Sequence, residues 1–231
     1  MTNKWQAVFF DFDGVILDSV DVKTQAFATM FRQYGPEVEK AVLEYHLAHG
    51  GVSRFKKFEY YYNHLLKIPI TDDILNDLGR QFNQLVLEGV LAAPFIDGAL
   101  ETLVQIKELA IPAFVVSGTP HEEMQLIIEK RNLSQYFLEV HGSPRKKQDI
   151  VQDIENRHSL RMEDCLFIGD AATDFEAAQH CGTSFLGIVK DGEKSPFPRE
   201  ASVTVRVSLL EFVHKNIHKL KYDYQSLASA S

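Results

Sequence analysis

The sequence predicts an α/β protein: a doubly wound parallel sheet with an α-helical insert after its first strand. Three observations carry this. Short apolar runs recur and stop at polar residues, as strands buried on both faces do. Between them lie segments with apolar residues three and four apart, the spacing of amphipathic helices. The stretch from about Leu17 to Ala93 breaks this alternation and reads as helical throughout.

Taken in order, Ala7 to Phe10 is the first strand and ends at Asp11. In the insert, Val20, Thr24, Phe27, Phe31 and Tyr34 share one helical face; Phe55, Phe58, Tyr62 and Leu65 share a second; Ile74, Leu78, Phe82 and Leu85 share a third. Gly35-Pro36, Gly50-Gly51 and Ile68-Pro69 punctuate them. Four further strands are expected: Pro112 to Val116 before Ser117-Gly118, Leu138 to His141 before Gly142-Ser143, Cys165 to Ile168 before Gly169-Asp170, and Ser184 to Val189. Helices are expected at Ala99 to Leu109, His121 to Asn132, Lys147 to His158 and Asp174 to Cys181. This gives a core of residues 1–16 and 94–231 and an insert of 17–93, with a polar, Ser/Ala-rich tail after Leu220 expected to fray.

Composition narrows the function classes. At 231 residues with 45% apolar and 24% charged, the chain has the make-up of a globular protein. A net charge of -8 disfavours general binding to nucleic acid or to anionic membranes, which need basic surface. The segment Phe55 to Tyr62 mixes basic and aromatic residues but reads as an amphipathic helix rather than a nucleic-acid surface. The first residues match neither a signal peptide nor a spanning helix, so the expected location is the cytoplasm. Cys165 and Cys181 lack metal-ligand spacing and are expected to be reduced thiols.

The chemistry gathers where the strands end. In doubly wound sheets ligands sit beyond the carboxyl ends of the strands, and those ends carry Asp11, Ser117 and Asp170. Asp11-Phe12-Asp13-Gly14 leaves the first strand with two carboxylates two positions apart and a glycine at a sharp turn. Two like charges at 4 Å repel by about 4 kcal/mol at an effective dielectric near 20, so one must be protonated or a cation must sit between them. Asp170 and Asp174 add negative charge from a neighbouring strand end, and an oxygen-rich pocket of this kind suits magnesium. Taken singly, each motif also reads as a turn or a helix cap.

Their order and spacing resemble the haloacid-dehalogenase-like superfamily, in its phosphatase branch with a helical cap and a Rossmann-like core. The likeness is to phosphoglycolate phosphatase and beta-phosphoglucomutase-like proteins. Its four motifs correspond to Asp11 through Val15, Ser117-Gly118-Thr119, a lysine at 146 or 147, and Gly169 through Asp174. Lys147 is preferred over Lys146, because the family's lysine often follows a spacer like Ser143-Pro144-Arg145-Lys146.

The resemblance implies a magnesium-dependent phosphatase that hydrolyses a small phosphorylated metabolite, such as a sugar phosphate or phosphoglycolate, through an aspartyl-phosphate. Asp11 would be the nucleophile and Asp13 the acid and then the base. The carboxylates of Asp11 and Asp170 with the Asp13 backbone carbonyl would ligate the metal, Asp174 would stand behind them, and Ser117 with the Gly118 N–H would hold phosphoryl oxygens. An aspartate at 13 points to phosphate esters or anhydrides rather than carbon–halogen bonds. The insert resembles the family's cap, and the loop His49 to Arg54 resembles the one that brings an arginine to substrate, so Arg54 is a candidate ligand. Lys23 stands where the mutases carry a histidine, which disfavours a mutase. Phosphonate hydrolases need a desolvated lysine, whereas Lys23, Lys56 and Lys57 read as lying in polar contexts. A non-catalytic binding protein on the same fold is the rival of a different class. Among the histidines only His121, just after the second motif, draws notice, and oligomeric state stays open.

Overall fold

The computed structural model describes residues 5–198 and 204–210; the tail after Leu220 lies outside the described residues. Six parallel strands form one sheet: β1 (Ala7–Phe10), β2 (Ala113–Pro120), β3 (Glu139–Ser143), β4 (Cys165–Gly169), β5 (Ser184–Ile188) and β6 (Thr204–Arg206), in the order β3-β2-β1-β4-β5-β6. The apolar run of β1 is continuous because both sheet faces are covered. Val8 and Phe10 enter one core while Ala7 and Phe9 enter the other, where the Phe9 ring lies between Phe114 at 5.3 Å and Phe167 at 6.2 Å.

Three strands, β2, β3 and β4, run past their expected ends. β2 continues through Ser117 to Pro120, and a register shift after Val116 lets Pro120 pair with Ser143 of β3. The sixth strand, β6, escaped the sequence reading because three edge residues, one exposed and two half-buried, carry no apolar run. From β1 the chain builds outward through β2 and β3, then returns to β4 on the other side of β1. The reversal places a crevice at the carboxyl ends of β1 and β4.

The insert holds four α-helices: α1 (Val20–Phe31), α2 (Pro36–Ala48), α3 (Arg54–Tyr60), extended by a π-helical stretch over Tyr61–Leu66, and α4 (Asp72–Ala92). The apolar faces expected from the sequence fall on α1, α3 with its extension, and α4. The fourth helix, α2, was missed because its buried residues are only Val42 and His46, so it shows almost no apolar stripe. Its polar buried residue matters below. The segments joining insert to sheet run side by side, with Ile96 N–H donating to the Ile16 carbonyl at 3.0 Å and Asp18 N–H to that of Pro94 at 2.9 Å. The remaining helices are α5 (Ala99–Glu108), α6 (His121–Lys130), α7 (Lys147–His158) and α8 (Ala172–Cys181). Both cysteines are free thiols, and no helix among the described residues is long and apolar enough to cross a membrane.

Phe27 of α1 centres the insert, with ring centroids of Phe82 at 4.5 Å, His46 at 4.7 Å, and Phe58 and Tyr61 each at 5.7 Å. Truncation there leaves a void among rings that cannot collapse, so Phe27→Ala should cost about 3–5 kcal/mol in urea unfolding. A loss below about 1 kcal/mol would show that the insert repacks freely.

Candidate active site

Where β1 ends, the Asp11 carboxylate turns back on its own chain and accepts from the Phe12 N–H at 2.7 Å. Gly14 follows with φ of 78°, and a Cβ there would collide with the Asp170 carboxylate. Glycine is thus required on two counts, the left-handed backbone and the close approach of the loops after β1 and β4.

Lys147, at the start of α7, reaches across with its Nζ 2.9 Å from Asp11 Oδ2 and 2.5 Å from Asp174 Oδ1. It is the lysine that the fold brings to Asp11, whereas Lys146 is exposed. Burial alone would push the Lys147 ammonium down, but the two carboxylates hold it well above the usual lysine range. Asp174 has both oxygens engaged, the second accepting from the Ala171 N–H at 3.0 Å, and is fully buried. Burial, then the charges of Asp11 and Asp174, push Asp170 well above the carboxylate range. Burial and Asp11 likewise push Asp174 up to about 7.

One oxygen each of Asp11, Asp170 and Asp174 lie within 4.8 Å of one another. That is more negative charge than Lys147 alone can match, and an all-oxygen donor set suits a hard divalent cation. The three differ in access rather than in what they already hold: both oxygens of Asp11 and of Asp174 are engaged by protein donors, but Asp11 and Asp170 line the cleft whereas Asp174 is fully buried.

Asp13 is held by three donors: Ser19 Oγ at 2.6 Å on one oxygen, and Thr119 Oγ1 at 3.0 Å and the Lys23 ammonium on the other. Burial raises the Asp13 carboxyl, but the Lys23 charge and these hydrogen bonds outweigh it and hold the group below its ordinary value. Lys23 also donates to Thr119 at 2.8 Å, so α1 of the insert is tied to β2 through this carboxylate. Ser117 is buried and accepts from the Thr119 N–H at 3.1 Å, while Gly118 lines the cleft. Ser19 was not singled out in the sequence, and Thr119 stood there only as the last residue of the second motif, since nothing in spacing announces a hydroxyl aimed at Asp13.

Over these groups lies a cleft of about 570 Å³, bounded below by Asp11, Asp13 and Asp170 and above by the insert. The loop through Gly50 and Gly51 sits directly on the core: the Gly50 carbonyl accepts from Thr173 Oγ1 at 3.3 Å, and a Cβ on Gly118 would strike the Gly51 carbonyl. Arg54 faces this cleft but is not free. It is buried, donates to both oxygens of Glu123 on α6 at 2.6 and 2.7 Å, and lies 4.6 Å over the Phe82 ring.

Two sequence readings need correction. Lys57 does not lie in a polar context: it is 3% exposed, lines the cleft, and has its Nζ 2.8 Å from Nδ1 of the buried His46. Its lysine–lysine–aromatic neighbourhood reads as surface because Lys56, beside it, is exposed and paired with Glu59. The histidine at the cleft is accordingly His46. His121 begins α6 and faces His141 at 5.9 Å between ring centroids, away from the cleft lining.

Residues 8–188 match the family model described as haloacid dehalogenase-like hydrolase. Among curated relatives, 6-phosphogluconate phosphatase of Escherichia coli (strain K12) is 23% identical over 83% of this chain and 86% of its own. Phosphoglycolate phosphatase of Rhodobacter capsulatus is 28% identical over 55% of this chain and 58% of its own, less than two thirds of its length. A solved structure described as a predicted phosphoglycolate phosphatase from Haemophilus somnus 129pt superposes with a TM-score of 0.72 at 18% identity, covering 93% of this chain and 99% of that one. With a family-model match over residues 8–188 and a parallel sheet carrying a helical insert, the chain belongs to the haloacid dehalogenase-like hydrolases and has phosphatases among its relatives.

Proposed function

We propose that the protein is a magnesium-dependent phosphomonoesterase that passes the phosphoryl group of a small metabolite to Asp11 and then to water. The observation that carries this reading is the Asp11 carboxylate at the end of β1, held by Lys147 at 2.9 Å and opening onto the cleft beside Asp13 and Asp170.

In the first step an Asp11 oxygen attacks phosphorus and the bond to the leaving oxygen breaks, with Asp13 giving that oxygen a proton. In the second, Asp13 takes a proton from the water that cleaves the aspartyl-phosphate. The clamp of Lys23, Ser19 and Thr119 favours the ionised form of Asp13, which is the form the second step uses. Ser117 and the Gly118 N–H grip phosphoryl oxygens, and Lys147 offsets their charge so that a phosphate can approach a cluster of aspartates. Magnesium, held by Asp11, Asp170 and the Asp13 carbonyl with Asp174 behind them, would supply charge neutralisation for the transferred oxygens. Arg54, its charge matched by Glu123, is left with N–H groups for hydroxyls at the far end of the substrate.

The relatives and the cleft together support a substrate class. Phosphoglycolate and 6-phosphogluconate, for which two relatives are named, are both phosphomonoesters that carry a carboxylate. A cleft of about 570 Å³ has room for molecules of this size. Phosphate release from a panel of phosphorylated metabolites, with magnesium or with chelator, tests the reading. Magnesium-dependent release from one or a few compounds is expected; no release from any of them would remove the phosphatase assignment.

A further inference from the structure

Four cationic side chains of the insert and the strand ends line the cleft apart from Lys57, and none of the four offers an unmatched buried charge. Lys23 is spent on Asp13, Arg54 on Glu123, and Lys190 on Asp18 at 2.7 Å; Lys194 is exposed to solvent. Lys57 alone is buried against the cleft without a carboxylate partner among the described residues.

The way Lys57 is held leaves one direction open. An ammonium has three N–H groups. One points to His46 Nδ1 at 2.8 Å and another to the His46 carbonyl at 3.3 Å. His46 is itself oriented, since its Nε2 lies 3.1 Å from Thr24 Oγ1, whose hydroxyl donates to the Val20 carbonyl at 3.0 Å. With Nε2–H donating to Thr24, Nδ1 is free to accept from Lys57. Burial, followed by the charges of Lys57 and Lys23, pushes His46 down to about 3, so it is neutral and a competent acceptor. Two donors are therefore fixed, and one remains.

We propose that Lys57, positioned by His46, receives a carboxylate on the substrate, so that the enzyme selects phosphorylated hydroxy acids over neutral phosphate esters. The inference rests on the phosphatase reading above and assigns the far end of that same site. One free donor and one charge match a carboxylate; a second phosphate, with two charges, would need the cations that Asp13 and Glu123 already occupy. The environment of Lys57 agrees. Burial and the Lys23 charge push it down to about 7 against the opposing pull of Asp170, and its ammonium lies 5.7 Å from the centroid of the Phe27 ring and against neutral His46. A buried cation without an anion is destabilising, and such a group is retained where a ligand completes the pair.

The test compares acids with neutral partners of like size: 2-phosphoglycolate with its carboxamide, and 6-phosphogluconate with sorbitol 6-phosphate. In the wild type, kcat/KM should favour one acid by at least about tenfold, mainly through KM, and Lys57→Met should cut that ratio by about 10–100-fold. Lys57→Met should also melt about 2–5 °C higher, because an unpaired buried charge gives way to an apolar chain of similar shape. An acid-to-neutral ratio that Lys57→Met leaves unchanged in both pairs would overturn the inference, as would a preference for a sugar bisphosphate over both acids. Should Lys57→Met fold poorly, Lys57→Gln reads the same ratio. If the wild type hydrolyses none of the four, the metabolite panel decides the phosphatase reading, and thermal stabilisation decides the subsite separately. Stabilisation by an acid but not its neutral partner, lost in Lys57→Met, supports it, and equal stabilisation by both sinks it.

Discussion

Asp11→Asn should lose turnover by about 10⁴-fold or more while remaining folded. The amide keeps the shape of the carboxylate and can still accept from the Phe12 N–H, but its oxygen is too weak a nucleophile to open a phosphate ester. Folding should not suffer. Asp11, Asp170 and Asp174 crowd one oxygen each within 4.8 Å, and removing one charge relieves repulsion that burial magnifies. The expected result is therefore an inactive protein with a thermal midpoint equal to or above the wild type. Turnover within tenfold of wild type would mean that the phosphoryl group passes to water without Asp11.

Asp13→Ala is the second large effect, and its signature depends on the leaving group. A positioned acid or base is worth about 10²–10⁴-fold, so an alkyl phosphate, whose leaving oxygen must be protonated, should lose at least that much. An aryl phosphate with an acidic phenol needs no such help in the first step, so Asp11 should still be phosphorylated slowly, while release to water stalls. A burst of phenol followed by a slow phase is the expected trace. Normal steady-state turnover of an alkyl phosphate would remove Asp13 from the proton transfers.

Much of the site was legible because its residues sit at fixed places relative to strands. Asp11, Ser117 and Asp170 each follow an apolar run, and a doubly wound sheet brings such positions to one edge whatever the side chains elsewhere do. Lys147 was preferred over Lys146 only through the family resemblance, and the first residue of α7 is the lysine that reaches Asp11. What spacing could not supply were contacts between insert and core. Arg54 was legible as a candidate, yet its partner Glu123 lies on a helix 69 residues away, and nothing in either segment announces the pairing. Lys57 was misread because a helix with lysines at 56 and 57 buries one and exposes the other, and which one depends on how the helix packs. Its partner His46 sits on α2, the helix whose polar inner face concealed it from periodicity. The part of the insert proposed to face substrate is thus the part where apolar patterning fails.

The most direct test of the central claim is to stop Asp13→Ala with acid soon after mixing it with magnesium and an aryl phosphate, and to locate the phosphoryl group by mass spectrometry. The expected result is one added phosphoryl group on the peptide containing Asp11, absent when Asp11 is also changed to Asn. A phosphoryl group on any other residue, or phenol release with no phosphorylated peptide at all, would contradict phosphoryl transfer through Asp11.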